Sequence, residues 1–251
     1  YLSVVNRYQP KVFVFENVPG LLSAMPDGTP IIQLIESGFS GIGYEIVDDV
    51  KKYAKVDASD YGVPQNRERL IILGIRKDVC DDVQSILHKF YLEILPKYKS
   101  KKKTTVAEAI GDLPKILPII DSKDLKSRIG YSKPICRTTW HKARRHSLRD
   151  VEIYQMLAND IKSGRNEYVD SKSLSDLYEE KVGAKSPIHR YHVLRADEPS
   201  TTIISHLDRD GNRFIHYDPE QGRDITPREA ARIQSFDDDF DFIGNQTDTY
   251  I

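Results

Sequence analysis

Apolar residues in this chain come in short runs separated by polar turns. Lys11-Val12-Phe13-Val14-Phe15 is β-branched and aromatic and is stopped by Pro19-Gly20, which predicts a strand buried on both faces within a parallel sheet. Leu70-Ile71-Ile72-Leu73-Gly74-Ile75 predicts a second strand of the same kind. Between them, Ile31 to Glu36 with a stop at Gly38 predicts a helix, and Tyr44 to Val50 a further strand. Strand, helix, strand, turn, strand is the order of an α/β domain seen from its middle.

The character changes after Lys97-Tyr98-Lys99-Ser100-Lys101-Lys102-Lys103, which reads as an exposed linker. Residues 1–103 are therefore expected to form one domain and 104–251 a second. Thr105-Val106-Ala107-Glu108 has the spacing of a capping box and predicts a short helix ending at Gly111, before Pro114. Ser147 opens a longer helix with Val151, Tyr154, Ala158 and Ile161 along one face, and Asn159 to Leu177 reads as polar and loop-rich. Thr226-Pro227-Arg228-Glu229 is the clearest helix start, with an N-cap Thr, Pro at the first helical position and Glu three after the cap.

Composition narrows the class without naming it. The chain has 251 residues, 39% hydrophobic and 30% charged, with a formal net charge of -1, as in an ordinary globular protein without bulk attraction for nucleic acid. No apolar run approaches the ~18–20 residues that span a bilayer. Cys80 and Cys136 are the only cysteines and sit in no zinc-type spacing, so no metal site is expected. Two isolated thiols and the lack of a secretory leader point to a reducing, cytoplasmic setting.

Several residues could carry chemistry. Glu16 follows the first strand, at the sheet end where open α/β folds place ligands; partial burial there would raise its pKa and let it share a proton with a substrate nitrogen, and the competing reading is a loop cap. Gln65, Arg67 and Arg69 alternate onto one strand face, where the guanidiniums hold a phosphate or a base carbonyl, or else form a solvated strand entry. Lys133 to Arg149 carries six basic residues, no acid, His141, His146 and the only tryptophan, Trp140. That is either a solvated face or a patch for a phosphate backbone. Gly41-Ile42-Gly43 is a bare fragment of a dinucleotide fingerprint.

Taken in order, these segments resemble the cytosine carbon-5 DNA methyltransferase family. Phe15-Glu16-Asn17-Val18-Pro19-Gly20-Leu21 resembles its Glu-Asn-Val motif, and Tyr61-Gly62-Val63-Pro64-Gln65-Asn66-Arg67-Glu68-Arg69 its Gln-x-Arg-x-Arg motif. Arg223 to Phe236 resembles the motif that follows its target-recognition region. The resemblance implies part of a Rossmann-like, S-adenosylmethionine-dependent methyltransferase sheet with a second, smaller target-recognition domain. It implies that Glu16 binds and helps protonate the ring nitrogen of a flipped cytosine, while Arg67 and Arg69 hold the base carbonyl and the neighbouring backbone. It places Gln65, Trp140, His141, Arg144, Arg145, Thr202 and Ile203 on double-stranded DNA, and makes Arg228 and Glu229 braces of the recognition domain.

The chain also departs from the family pattern. The family's glycine-rich loop for S-adenosylmethionine and its Pro-Cys loop both precede the Glu-Asn-Val motif, so cofactor contacts and the nucleophilic cysteine are expected outside residues 1–251, and neither Cys80 nor Cys136 inherits the role. The closing Gly-Asn-Ala-Val-Pro segment is expected beyond Ile251; Gly244-Asn245 comes too early for it, and Asp237 stands where the family usually has Pro. The chain alone is therefore expected to be inactive. The expected whole is a cytosine-5 methyltransferase of a restriction-modification system, with a cognate endonuclease as a conceivable partner. The alternatives are a DNA-binding specificity subunit of a split enzyme that needs a second chain, and a degenerate paralogue that binds without catalysis.

Overall fold

The computed structural model describes residues 1–120, 128–184, 191–204, 207 and 211–245. The chain divides into two compact units: Tyr1–Gly62 with Asn66–Lys103, and Val63–Gln65 with Thr104–Ile251. The main division falls at Lys103/Thr104, and the excursion of Val63–Gln65 is invisible to composition.

The first unit is a mixed α/β layer around one long strand. β1 (Val12–Asn17) and β4 (Glu68–Arg76) pair antiparallel, from Val12 opposite Ile75 to Asn17 opposite Leu70. On the other edge of β4, β2 (Tyr44–Ile46) pairs with Arg76 to Gly74 and β3 (Lys55–Asp57) with Leu70 to Glu68, both antiparallel. The expectation of parallel, doubly buried strands is thereby corrected. A Val-Phe-Val-Phe run specifies a strand but not the direction of its neighbour, and here only the Phe13 side of β1 is buried, with Val12 46% and Val14 56% exposed. The predicted strand from Tyr44 ends at Ile46 because Asp49 caps a helical turn, α3 (Val50–Tyr53), by accepting the Lys52 N–H.

The core sits on that buried face. Phe13 stands opposite Gly74 with its ring where a glycine Cβ would come within 2.1 Å, so the missing side chain makes room for the ring. Phe39, from α2 (Ile31–Gly41), stacks on Phe13 with centroids 4.3 Å apart, and Tyr44 and Ile72 are fully buried beside them. α1 (Leu2–Tyr8) contributes Val5, and α4 (Val83–Lys89) contributes Val83 and Leu87. α4 runs into a π-turn, Phe90–Ile94, that carries the buried Tyr91.

The second unit is built from helices and short strands. β5 (Pro118–Ile119), β6 (Arg128–Tyr131) and β7 (His146–Ser147) form a small antiparallel sheet. α5 (Val106–Ile110) has the predicted capping box between Thr105 and Glu108. α6 (Leu148–Lys162) starts at Ser147, whose side chain accepts the Asp150 N–H, and packs Ile153, Tyr154 and Leu157 against Leu174 and Leu177. Those last residues belong to α7 (Ser171–Val182), which corrects the loop-rich reading of 159–177. Leu174, Leu177 and Tyr178 stand at i, i+3 and i+4 in one core cluster, a helical spacing that the surrounding polar residues mask, and Asp170 caps the helix by accepting the Lys172 and Ser173 N–H groups. α8 (Pro227–Ile233) closes the unit, buried on nearly every side.

Candidate functional site

β1 ends because Asn17 turns its side chain back to accept the Val18 N–H at 2.8 Å and Pro19 opens a short 3₁₀ turn. This leaves Glu16 on the open face of the strand, opposite Ile71. Arg69 lies two residues further along β4 on that same face, the diagonal neighbour in an antiparallel ladder. Its Nε is 2.8 Å from Glu16 Oε1, and its Nη1 donates to the Glu68 carbonyl at 2.7 Å. The Glu16 side chain is 55% exposed and that of Arg69 20%. Glu16 is therefore not a partly buried acid: it is an accessible carboxylate held by a shielded guanidinium.

Arg67 extends the arrangement, two residues further again. Burial lowers its pKa, as does the neighbouring charge of Arg69, and Glu16 opposes them. Of the sequence-predicted catalytic set, Glu16 and Arg69 are thus in direct contact in the first unit, with Arg67 close enough to feel both charges. This arrangement can bind a planar heterocycle that offers a nitrogen to the acid and a carbonyl to the cations.

In the second unit, the chain around α8 is organised by buried charge. Arg223 and Glu229 pair through two hydrogen bonds of 2.7 Å. Glu229 also accepts the Thr226 N–H at 2.7 Å and closes the capping box expected there. Burial alone would push the Glu229 carboxyl up, but Arg223 holds it well below the usual range. Arg228 is fully buried and donates to the Thr139, Asp237 and Phe240 carbonyls at 2.9, 3.0 and 2.6 Å. Arg228 and Glu229 occupy positions suited to bracing, and Arg223, which sequence reading left outside the candidate set, shares that position with them.

The residues expected on DNA divide by exposure. Arg145 is exposed, and Trp140, Arg144 and Thr202 are partly so. The Trp140 backbone is left-handed, φ 66°, and its indole N–H donates to Asp241 at 2.7 Å. Arg144 Nε lies 2.6 Å from the buried Asp224, which His146 also contacts at 2.9 Å. The structure does not present Gln65, His141 or Ile203 at a surface. Gln65 is fully buried and bridges to Ser200. His141 contacts the Pro114 carbonyl at 2.8 Å and Thr226 Oγ1 at 3.3 Å, and Ile203 packs in the core with Ile110 and Leu194.

Gly41 is the last residue of α2 and Gly43 (φ 89°) lies just past its C-terminus, the reverse of a loop that offers helix N-terminal N–H groups to a nucleotide. Cys80 and Cys136 form no disulfide and are partly buried, and Cys136 Sγ contacts Thr138 Oγ1 at 2.9 Å. Asp57, whose side chain ties the loop before Arg67, was not singled out from sequence; the Asp57-Ala58-Ser59 spacing of an Asx turn is the signal that marks it.

Comparison with known proteins places the chain in a family. The chain is 30% identical over 267 residues to the type II methyltransferase M.Bpa9945I of Bacillus paralicheniformis, covering 100% of the chain and 58% of that protein. It is 32% identical over 247 residues to the type II methyltransferase M.BbvI of Brevibacillus brevis, covering 98% of the chain and 54% of that protein. The chain thus spans little more than half the length of these relatives. In fold it is similar to a crystal structure of a DNA modification methyltransferase encoded within an E. coli prophage, with a TM-score of 0.53 and 24% identity, covering 99% of the chain and 66% of that one. The profile of the C-5 cytosine-specific DNA methylases matches residues 1–251 throughout, and the chain belongs to that family.

Proposed function

We propose that the protein carrying this chain methylates carbon 5 of a flipped cytosine in double-stranded DNA, as the modification enzyme of a restriction-modification system in the cytoplasm. The observation that carries the proposal is the Glu16–Arg69 pair, 2.8 Å apart on an open strand face, in a chain matched by the C-5 cytosine-specific family over its whole length. Before a base arrives, Arg69 balances the carboxylate. A cytosine turned out of the duplex offers its ring nitrogen to Glu16 and its carbonyl to the guanidiniums. Sharing a proton with that nitrogen draws electrons from the ring and makes carbon 6 electrophilic.

The family implies S-adenosylmethionine as methyl donor and a cysteine as nucleophile. Both are proposed to be held outside residues 1–251, as this chain spans little more than half the length of its relatives. Trp140, Arg144, Arg145 and Thr202 are proposed as DNA contacts of the second unit, a target-recognition domain. Gln65, His141 and Ile203, expected on DNA by resemblance, are proposed to support that surface from within.

The test is Glu16→Gln in the complete protein, followed by methyl transfer to duplex DNA and by duplex binding. Loss of a positioned general acid costs on the order of 100-fold or more in turnover, with binding close to that of the unaltered protein. Normal turnover in the variant overturns the proposal. Methyl transfer that requires an added second chain identifies instead a specificity subunit of a split enzyme.

A further inference from the structure

The loop that carries Arg67 is shut at its neck by one side chain. Asp57 is the last residue of β3, in register opposite Glu68. Its Oδ1 accepts the backbone N–H of Ser59 at 3.0 Å and that of Arg67 at 3.0 Å. The main chain closes the same point, with Ala58 N–H donating to the Arg67 carbonyl at 3.0 Å. The other carboxylate oxygen lies 3.5 Å from Lys103 Nζ. Burial would raise the Asp57 pKa, but the Ser59 and Arg67 amides, assisted by Lys103, hold it below the usual carboxylate range. Asp57 is therefore ionised at neutral pH and a strong acceptor for both amides.

Arg67 needs such a root. Its guanidinium is partly desolvated and stands near a second cation, Arg69. A fixed backbone narrows the positions that the Arg67 guanidinium can reach from its root. The N–H and the carbonyl of Arg67 are both engaged, and one of these bonds belongs to Asp57.

We propose that Asp57 is a positioning residue for the reaction: it touches no substrate and fixes the root of Arg67 so that the guanidinium meets the base. The inference rests on the function proposed above. It also separates geometry from charge. Asp57→Asn keeps the Oδ1 acceptor and loses the charge. Asp57→Glu keeps the charge and displaces the oxygens by one C–C bond, roughly 1.5 Å.

In the complete protein, methyl transfer by Asp57→Asn is expected within about threefold of the unaltered enzyme, whereas Asp57→Glu and Asp57→Ala lower kcat roughly 10- to 100-fold with duplex Kd unchanged, the cost of a misplaced positioning group. Hydrogen exchange of the Arg67 amide is expected to stay slow in the Asn variant and to accelerate in the other two. Wild-type turnover in Asp57→Glu, or an Asn variant as impaired as the Glu variant, overturns the proposal, and that comparison stands even if Asp57→Ala fails to fold. An unaltered protein that transfers no methyl defeats the reading of function instead, and exchange at Arg67 in the variants still decides whether Asp57 clamps the loop.

Discussion

The Arg223 guanidinium meets the Glu229 carboxylate edge to edge, Nη1 to Oε2 and Nη2 to Oε1, where neither side chain is more than 1% exposed. Removing one partner strands the other as a buried charge. Glu229→Ala is therefore expected to destabilise the protein by about 3–5 kcal/mol. Arg223→Met combined with Glu229→Ala is expected to be no less stable than Glu229→Ala alone, because no charge is then left unpaired. Denaturant unfolding of the single and double variants measures this, and strictly additive losses would refute the pairing.

Acid should attack the same region from a second direction. His216 is buried with Nε2 3.6 Å from Glu229 Oε1 and its ring stacked on Tyr217. Burial, reinforced by Arg223, pushes its imidazole from about 6.5 down to about 3. Between those values the unfolded chain binds a proton that the native state refuses, so stability rises with pH across the window and is lost as pH falls from about 6.5 toward 3. Glu229, whose pKa is lowered, loses its contribution in the same direction at more acidic pH. For one such proton the slope approaches about 1.4 kcal/mol per pH unit. Unfolding free energies measured between pH 7 and pH 4 are expected to flatten in His216→Phe relative to the unaltered protein. An equal slope in both assigns the acid sensitivity to other groups.

Local signals were legible in the sequence and register was not. The boxes at Thr105 and Thr226 lie within four residues and formed as read. Glu16 and Arg69 were each recognisable from their motifs, yet what joins them is the pairing of Asn17 with Leu70, set by the fold of the chain between. His141 shows the limit from the other side. Charge counted along the chain places it in a basic stretch, while the groups that bury it, Pro114 and Thr226, stand 27 and 85 residues away. Arg144 likewise reads as a free cation until Asp224 is seen beside it. α7 escaped because the polar composition of 159–177 outweighed the helical spacing of Leu174, Leu177 and Tyr178, which their packing beside α6 brings out.

Tyr91 closes a gap that the sheet topology leaves on β4. β2 pairs with Gly74 to Arg76 and β3 with Glu68 to Leu70, so the backbone between them has no strand partner on that edge. The Tyr91 hydroxyl fills it, accepting the Leu73 N–H at 2.9 Å and donating to the Ile71 carbonyl at 2.8 Å, while Ile71 N–H donates to the Ala54 carbonyl at 2.8 Å. Burial raises the Tyr91 pKa, which keeps the phenol in its donating form through neutral pH. Tyr91→Phe preserves the ring and its packing but leaves a partly buried N–H and a partly buried carbonyl without this partner, at up to about 1–3 kcal/mol for each. The midpoint of denaturant unfolding should fall with the m-value unchanged, and the Leu73 amide should exchange faster than its neighbours. If stability changes by less than about 0.5 kcal/mol, the range of an ordinary surface substitution, the hydroxyl is not what completes this edge.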